Sequence, residues 1–465
     1  MNLESVAIAL LFLSILLIVG KWVRRRTGWV RRLFLPSSIV AGALALAFGP
    51  QGIGRLPWEG VSDNGLWSED VLSVWGDLPK LLISVVFAAL FLGKPIPGLK
   101  SIWRQSGPMV VHGQAVAWGQ YVVGLGLAML VIIPIWKMSP MAGALIEIGF
   151  EGGHGTAAGL GATFRELGFE DGADLALGLA TIGVVAGVLL GTLCVNWAVW
   201  RGHIEKPGQV DEEEEERLGE HENREAGERA GSGTDQTIEP LSIHLGFVAV
   251  SIGLGWLLLE GMVWLEGLLL VPLGWPELMR HIPLFPLAMI GGVIVQMLAP
   301  RLGYASLIDR GLMNRISGTA LDLLIVAALG ALSLDAIGAN AGPFFVLALG
   351  GILWNLFGFF VLARWLFPRD WVPMGMANLG QGMGMTVIGL LLVRMSDPRG
   401  RTGAMEAFGY KQLLFEPVVG GGLFTAASLP LIYQFGAGPV FTGVTVVMVG
   451  WLVAGWWLFG RRPAR

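Results

Sequence analysis

The sequence contains little charge and a single cysteine. Of its 465 residues, 14% are Asp, Glu, Lys or Arg, whereas 54% are hydrophobic, and the apolar residues form long runs along nearly the whole chain. This composition argues against a soluble enzyme and is typical of a protein that crosses the membrane many times. Cys194 lies in an apolar run, so the chain can form no intramolecular disulfide.

Motifs for catalysis and metal binding are also missing. No HExxH sequence occurs, no second histidine follows His154 at metal-ligand spacing, and no nucleophile elbow or cofactor motif is present. The net charge of −4 arises from an acidic run at 205–239 and indicates no nucleic-acid partner. We therefore predict no enzymatic activity, no cofactor, no metal site and no nucleic-acid binding.

The apolar runs predict eleven membrane-spanning helices. The first is followed by basic residues at 21–32, the reverse of the charge order in a cleavable signal peptide, so we expect it to be retained. Two further apolar segments, 139–166 and 371–395, are so rich in glycine that we predict re-entrant hairpins rather than spans. The predicted spans lie at about 5–20, 33–50, 78–94, 107–136, 173–200, 241–265, 282–300, 316–334, 341–363, 404–433 and 437–459.

The distribution of basic residues supports this count. With the N-terminus outside, 25 of the 31 Lys and Arg residues lie in cytoplasmic segments, five lie outside, and Lys411 lies within a span. If either hairpin spanned the membrane, every later loop would change sides and this bias would disappear. We therefore predict an outside N-terminus and a cytoplasmic C-terminus.

An internal repeat divides the chain. LPSSIVAGALALAFGP (35–50) aligns without gaps on FPLAMIGGVIVQMLAP (285–300), and LLISVVFAAL (81–90) aligns on LLIVAALGAL (323–332). Because five spans separate the copies, the second must be inverted relative to the first. Inverted repeats with paired broken helices are typical of secondary transporters, whose sites lie near the membrane midplane.

The predicted fold is therefore an all-α polytopic membrane protein with two inverted five-helix repeats, each containing a re-entrant glycine-rich hairpin. The predicted parts are a first repeat at 1–204, an acidic cytoplasmic linker at 205–240, a second repeat at 241–435, and an additional helix with a basic tail at 436–465.

The first hairpin contains EGGHGTAAG (151–159). Its glycines allow tight turns and close approach of a ligand, while free N–H groups at a helix break favour an anion and free carbonyls favour a small cation. Thr156 is either a helix cap or a ligand contact. Glu151 either binds a coupling ion or lies near the outer surface. The substrate-binding residues predicted here are Gly152, Gly153, His154, Gly155 and Thr156.

The second hairpin, PMGMANLGQGMGMTVIGLLLV (373–393), has no charge. Amide and hydroxyl oxygens suit Na⁺, and amide N–H groups suit a carboxylate, so Asn378 is predicted to bind an ion and Gln381 to contact both ion and substrate. The other substrate-binding residues predicted in this hairpin are Gly380, Gly382, Gly384 and Thr386.

Two ionisable residues, Lys411 and Glu416, lie in the tenth predicted helix. Ionisable groups inside a membrane are costly and are usually functional. Lys411 either extends to the cytoplasmic surface, pairs with Glu416 or binds an acidic group of the substrate. Glu416 is predicted to couple transport to Na⁺ or to protons.

In the motifs described above, the chain resembles the bacterial sodium/glutamate symporters. GGHGTAAG (152–159) is the most specific match, and LPSSIVAG (35–42), GQGMGMT (380–386) and EPVVGGG (416–422) follow in the expected order. The resemblance implies a homodimer in a bacterial inner membrane, an elevator-like movement, and coupled uptake of Na⁺ and L-glutamate or a related acidic amino acid. It also implies that the two hairpins share one substrate and ion site.

The sequence departs from the family pattern in several places. The acidic linker and the eleventh helix are additional, and helix ten has Thr425 and Ser428 where an acidic residue and an amide are expected, besides Lys411 and Glu416. These differences leave an alternative, in which Glu416 and Lys411 serve a proton-coupled or differently coupled transporter of another organic anion.

Overall fold

A computed structural model describes residues 3–28, 30, 36–55, 62–94, 96, 98–204, 239–273, 277–367 and 369–459. Nearly all of the predicted linker and the basic tail lie outside this range. The regular structure of the described residues is helical, with no β-strand. The helices are, in chain order, α1 (Leu3–Arg26), α2 (Ser37–Ala47), α3 (Glu69–Ala89), α4 (Leu99–Leu127), α5 (Gly153–Gly159), α6 (Gly161–Glu166), α7 (Gly172–Trp200), α8 (Pro240–Leu265), α9 (Leu284–Leu298), α10 (Arg310–Gly330), α11 (Ala341–Phe357), α12 (Trp371–Ser396), α13 (Ala404–Phe415), α14 (Leu423–Phe435) and α15 (Ala437–Leu458).

The described residues include eight helical segments that are long and apolar enough to cross a membrane, and α2, α9 and α14 are shorter apolar helices. Large apolar side chains point outward along them: Leu130 is 80% exposed and Leu193 is 61% exposed. Such exposure is unfavourable in water and is expected where a helix contacts lipid. The prediction of an all-α, multi-pass membrane protein is therefore confirmed.

Several predicted spans have different boundaries in the structure, and two of these differences have a clear local cause. Helix α3 begins at Glu69 rather than near residue 78, because an acidic first turn with Glu69 and Asp70 precedes its apolar part. The continuous helix predicted at 404–433 is wrong, since α13 ends at Phe415 and α14 begins at Leu423. Pro417 and three glycines at 420–422 occupy the gap, and proline and glycine both disfavour a continuous helix.

The chain forms two compact units, one made of 1–80, 100–206 and 322–465, and the other of 81–99 and 207–321. In the second unit α8 and α9 pack through small residues. A methyl group on Gly255 would lie 2.5 Å from the backbone nitrogen of Ala288, and one on Gly291 would overlap the carbonyl of Ser251. Such close backbone approach is a common way for helices to associate in membranes.

The two aligned sequence segments also pack alike. In the first unit, a methyl group on Gly42 would lie 2.7 Å from Cβ of Leu329 in α10. In the second unit, one on Gly292 would overlap the carbonyl of Ala88 in α3. Gly42 and Gly292 occupy equivalent positions in the first pair of aligned segments, 35–50 and 285–300. Each packs against a helix that contains part of the second pair, 81–90 and 323–332.

Helices α4 and α11 end in the same way. Each continues into a π-helical segment, at Ala128–Ile132 and Gly358–Ala363, and then into a short α-helical turn, at Ile133–Trp136 and Arg364–Leu366. Such π-helical segments are rare and often lie near functional sites. In both cases a glycine-rich segment follows directly.

Both glycine-rich segments are interrupted helices. Hairpin 1, defined as Pro140–Glu166, is interrupted at Gly153, where φ is +71°. Hairpin 2, defined as Trp371–Ser396, is interrupted at Gly384 and Met385. Met385 has φ +68° and ψ 172°, a region that is essentially restricted to glycine and costs other residues on the order of 1–3 kcal/mol.

The chain reverses direction at both interruptions. In hairpin 2, a methyl group on Gly380 would lie 2.6 Å from the backbone nitrogen of Gly389, and one on Gly389 would lie 2.6 Å from the carbonyl oxygen of Ala377. In a straight helix, residues twelve apart are roughly 18 Å apart. The two arms of hairpin 2 therefore lie side by side.

In hairpin 1, the arm after the interruption runs antiparallel to α7. Phe164 packs against Gly172 at the start of α7, and His154 contacts Thr181 further along it. Gly149, before the interruption, packs against Leu179 of the same helix. Both arms of hairpin 1 therefore lie beside α7.

Candidate functional site

The tips of the two hairpins meet. A methyl group on Gly153 would overlap the side chain of Met385, so the two interrupted positions are in direct contact. Only glycine leaves room for this approach at position 153, where the positive φ independently favours it. The contact brings together two segments that are more than 200 residues apart in the sequence.

A buried lysine lies beside hairpin 2. Lys411, on α13, is fully buried, and its Nζ donates hydrogen bonds of 2.8 Å to Oδ1 of Asn378 and of 2.8 Å to Oε1 of Gln381. Nζ also lies 3.7 Å from the centre of the Phe415 ring, a favourable cation–π distance. Gln412 donates a further bond of 2.9 Å to Oε1 of Gln381.

A chain of hydrogen bonds fixes the Asn378 amide. The backbone carbonyl of Gly358 accepts from Nε2 of His112 at 3.0 Å, so Nδ1 of this neutral histidine accepts from Nδ2 of Asn378 at 2.9 Å. The remaining amide atom, Oδ1, faces Lys411. The buried His112, which sequence analysis did not assign to the site, orients a predicted ion-binding residue.

A second polar cluster surrounds Gly382 on hairpin 2. Gln120, on α4, donates from Nε2 to the Gly382 carbonyl at 2.7 Å and lies 3.4 Å from both Oε2 of Glu151 and Oδ1 of Asn355. All four residues are in the first compact unit. Oε1 of Gln120 is buried and has no hydrogen-bond partner among the described residues. Carbonyl, amide and carboxylate oxygens therefore converge at one place beside both hairpins.

Glu147 is the carboxylate with the most hydrogen-bond donors in the region. Its Oε2 accepts from the Tyr121 hydroxyl at 2.5 Å, and its Oε1 accepts from the Gly420 N–H at 2.7 Å and from the Thr425 hydroxyl at 2.8 Å. Gly420 lies in the gap between α13 and α14, where the backbone N–H groups have lost their helical partners. Glu147 thus connects hairpin 1 to the interrupted tenth helix.

We expect Glu147→Ala to destabilise the protein strongly, because three buried donors would lose their acceptor, each at roughly 1–3 kcal/mol. Thermal unfolding in detergent, followed by tryptophan fluorescence, measures the effect. Glu170→Ala, at an exposed glutamate near the start of α7, is the matched control. Equal unfolding temperatures for the two variants would contradict a structural role for Glu147.

His154 and Thr156 occupy the restart of the helix after the hairpin 1 tip. Thr181 donates its hydroxyl to the Leu177 carbonyl, so its oxygen accepts from Nε2 of His154 at 3.0 Å. In a neutral imidazole with this tautomer, Nδ1 of His154 is the acceptor nitrogen. Nδ1 of His154 and Oγ1 of Thr156 are both buried without a partner among the described residues. Thr156 makes no side-chain cap at this position.

The tip of hairpin 2 resembles that of hairpin 1. Thr386, directly after Met385, donates its hydroxyl to Oε1 of Glu416 at 3.2 Å, as His154, directly after Gly153, contacts α7. In each hairpin the residue that follows the positive-φ position thus bonds to a residue outside the hairpin, which is Thr181 of α7 for hairpin 1 and Glu416, directly after α13, for hairpin 2.

The structure places Asn378 and Gln381 against Lys411 and Thr386 against Glu416, and hairpin 1 meets hairpin 2 at Gly153. The side chain of His154 bonds to Thr181 of α7 instead. The structure also places Glu151 in the buried interior, 4% exposed, rather than at the outer surface. An open, mostly apolar groove of about 410 Å³ is lined by residues of α7, among them Thr181, the partner of His154. Five further residues of the site were not predicted from the sequence because no glycine-rich motif marks them, namely His112, Gln120, Tyr121, Asn355 and Gln412.

A comparison of the sequence with protein-family models identifies the family of this chain. The model of the sodium/glutamate symporter family matches residues 2–391, which include both hairpin tips, Gln120, Glu151 and Asn355. No curated protein matches the chain. Residues after 391, including Lys411 and Glu416, lie outside the matched region. Because the match extends over most of the sequence, the chain belongs to the sodium/glutamate symporter family.

Proposed function

We propose that this protein is a secondary transporter that couples Na⁺ entry to uptake of L-glutamate or a closely related acidic amino acid. The polar clusters around the two hairpin tips would bind substrate and ion. One observation carries the proposal: buried atoms of Gln120, His154 and Thr156 have no partner among the described residues, close to the contact of the two tips. Buried polar groups almost always have hydrogen-bond partners, so these three atoms are available to bind a ligand.

The chemistry of these three atoms suits an amino acid. Nδ1 of His154 and Oε1 of Gln120 are acceptors, which match an ammonium group or a cation, while the Thr156 hydroxyl can donate to a carboxylate. The interruption at Gly153 also frees backbone N–H groups at the start of α5, which favour an anionic group. A zwitterion with an additional carboxylate requires both kinds of partner.

The oxygens around Gln120 suit the coupling ion. The Gly382 carbonyl, Asn355 Oδ1 and the Glu151 carboxylate all lie within 3.4 Å of the Gln120 amide nitrogen, and their oxygens are hard ligands. Unwound carbonyls beside acidic or amide side chains commonly coordinate Na⁺ in transporters with interrupted helices. We infer that Na⁺ binds here and that Glu151 supplies the negative charge.

We further propose that the chain is built from two inverted five-helix repeats with re-entrant hairpins that enter from opposite sides of a bacterial inner membrane. The matched contacts of Gly42 and Gly292, the π-helical ends of α4 and α11, and the meeting of the two tips support this arrangement. As in the family resemblance, we expect a homodimer whose hairpins move as part of an elevator-like transport domain, with the N-terminus outside. Nothing in the family match favours the alternative of a proton-coupled carrier, nor an enzymatic role.

Binding of labelled L-glutamate to the purified protein tests this function. We expect saturable binding in NaCl and at least about tenfold weaker binding in KCl, because Gln120 and hairpin 1 contribute to both the ion site and the substrate site. His154→Ala is expected to remain folded and to bind weakly in both salts, since the imidazole acceptor is lost. Binding of equal strength in Na⁺ and K⁺, or by His154→Ala and the unmodified protein, would contradict the assignment.

A further inference from the structure

Lys411 is a fully buried cation that the family match does not include, because the match ends at residue 391. A positive charge inside the membrane is costly unless its surroundings stabilise it. Its neighbours therefore indicate what this charge does.

Three groups surround the Lys411 ammonium. Nζ donates to the amide oxygens of Asn378 and Gln381, each at 2.8 Å, and lies 3.7 Å from the centre of the Phe415 ring. Amide oxygens and the negative face of an aromatic ring both favour a cation. These three partners match the three N–H bonds of an ammonium group.

The surroundings of Nζ have the character of a cation site. The Asn378 oxygen is oriented by the bond that its amide nitrogen donates to His112, and the Gln381 oxygen also accepts from Gln412. Hydrogen bonds that do not involve Lys411 therefore help to orient both oxygens toward Nζ. The absence of a side chain at Gly113 makes space, since a methyl group there would lie 2.7 Å from Nζ.

The charges nearby complete this description. The carboxylates of Glu151 and Glu416 both act electrostatically on Lys411. Glu147 has three hydrogen-bond donors of its own and does not depend on the lysine. The ammonium thus supplies one of the positive charges that Glu151 and Glu416 require.

We propose that Lys411 is a tethered cation, which permanently occupies an oxygen-lined cation site on hairpin 2 and replaces one coupling ion. This inference rests on the proposed function and deepens it, because it predicts that the protein transports one Na⁺ fewer per substrate than it would without the lysine. The lysine then stabilises hairpin 2 and does not bind the substrate.

Removal of the ammonium should create a site for free Na⁺. In Lys411→Ala, we expect uptake to recover only at high Na⁺ concentration, the Hill coefficient for Na⁺ to rise by about one, and the charge moved per substrate to rise by one elementary charge. Lys411→Met fills the space with an apolar chain and should transport poorly at every Na⁺ concentration. An unchanged Hill coefficient in Lys411→Ala, together with a raised KM for the substrate, would instead make Lys411 a substrate anchor and overturn the inference.

Thermal unfolding does not require transport, so it tests the role of Lys411 separately from the proposed function. Na⁺, compared with K⁺, should raise the unfolding temperature of purified Lys411→Ala more than that of Lys411→Met, and Lys411→Ser provides a second small variant if Lys411→Ala does not fold. Equal effects of Na⁺ on the small and apolar variants would contradict a cation site at Nζ. Absence of Na⁺-dependent uptake by the unmodified protein would refute the proposed function, while the unfolding temperatures would still decide the role of Lys411.

Discussion

Proteoliposomes containing Gly153→Leu or Gly382→Leu are expected to lose Na⁺-dependent glutamate uptake by at least about tenfold. A side chain at Gly153 would overlap Met385 and would require a positive φ, and one at Gly382 would overlap Oδ1 of Asn355. Overpacking costs roughly 1–3 kcal/mol, and about 1.4 kcal/mol corresponds to a tenfold change in rate. Because both clashes lie at the proposed site, the loss should appear in transport.

Two other glycines provide matched controls for these variants. Gly161, in the same hairpin as Gly153, has no atom within 3.7 Å of an added methyl group, and Gly409 on α13 has none within 4 Å. Gly161→Ala and Gly409→Ala should therefore transport at close to the normal rate. Size-exclusion profiles and unfolding temperatures establish that all four variants are folded. Normal uptake by folded Gly153→Leu would remove the hairpin tips from the site.

We expect Gln120→Leu to reduce Na⁺-dependent uptake by about tenfold or more. The substitution removes the bond to the Gly382 carbonyl and the buried amide that contacts the oxygens of the proposed ion site. Loss of one polar partner in a buried site costs roughly 1–3 kcal/mol, which corresponds to about a tenfold to hundredfold effect. The apparent affinity for Na⁺ should fall together with the maximal rate.

Gln114→Leu is the control for this variant. Gln114 is a buried glutamine of the same helix, and its Oε1 accepts from Trp118 one turn away rather than from a hairpin. Its replacement should therefore leave the Na⁺ dependence unchanged. Equal losses in both variants would mean that α4 tolerates no change in polarity and that Gln120 has no particular role in ion binding.

The sequence allowed most of the membrane architecture to be predicted, because lipid contact imposes a physical signature on each span. Long apolar runs identified the helices, and clustered glycines identified the two interrupted segments. The exceptions have local causes. The polar first turn of α3 at Glu69 precedes its apolar part, so the span was predicted to begin too late, and the signal of Pro417 with glycines 420–422 was overlooked within an otherwise apolar run.

The site itself was predictable only in part. Residues beside unusual glycines, such as His154 and Gln381, have a recognisable local pattern. Gln120 and Asn355 have none, since each is an uncharged amide in an apolar helix with no distinctive neighbours, and they meet 235 residues apart in the sequence. Met385 also has no recognisable pattern, since it occupies the positive-φ position of the hairpin 2 tip, where glycine is favoured.

The central claim is that the polar clusters at the meeting hairpin tips couple Na⁺ to the movement of an acidic amino acid. Uptake of labelled L-glutamate into proteoliposomes, with an inward gradient of Na⁺ and then of K⁺, tests this claim most directly. We predict concentrative uptake with Na⁺ that disappears with K⁺, persists when a pH gradient is abolished, and is lost in folded Gly153→Leu. Uptake that follows a pH gradient and ignores Na⁺, or no uptake at all by folded protein, would contradict it.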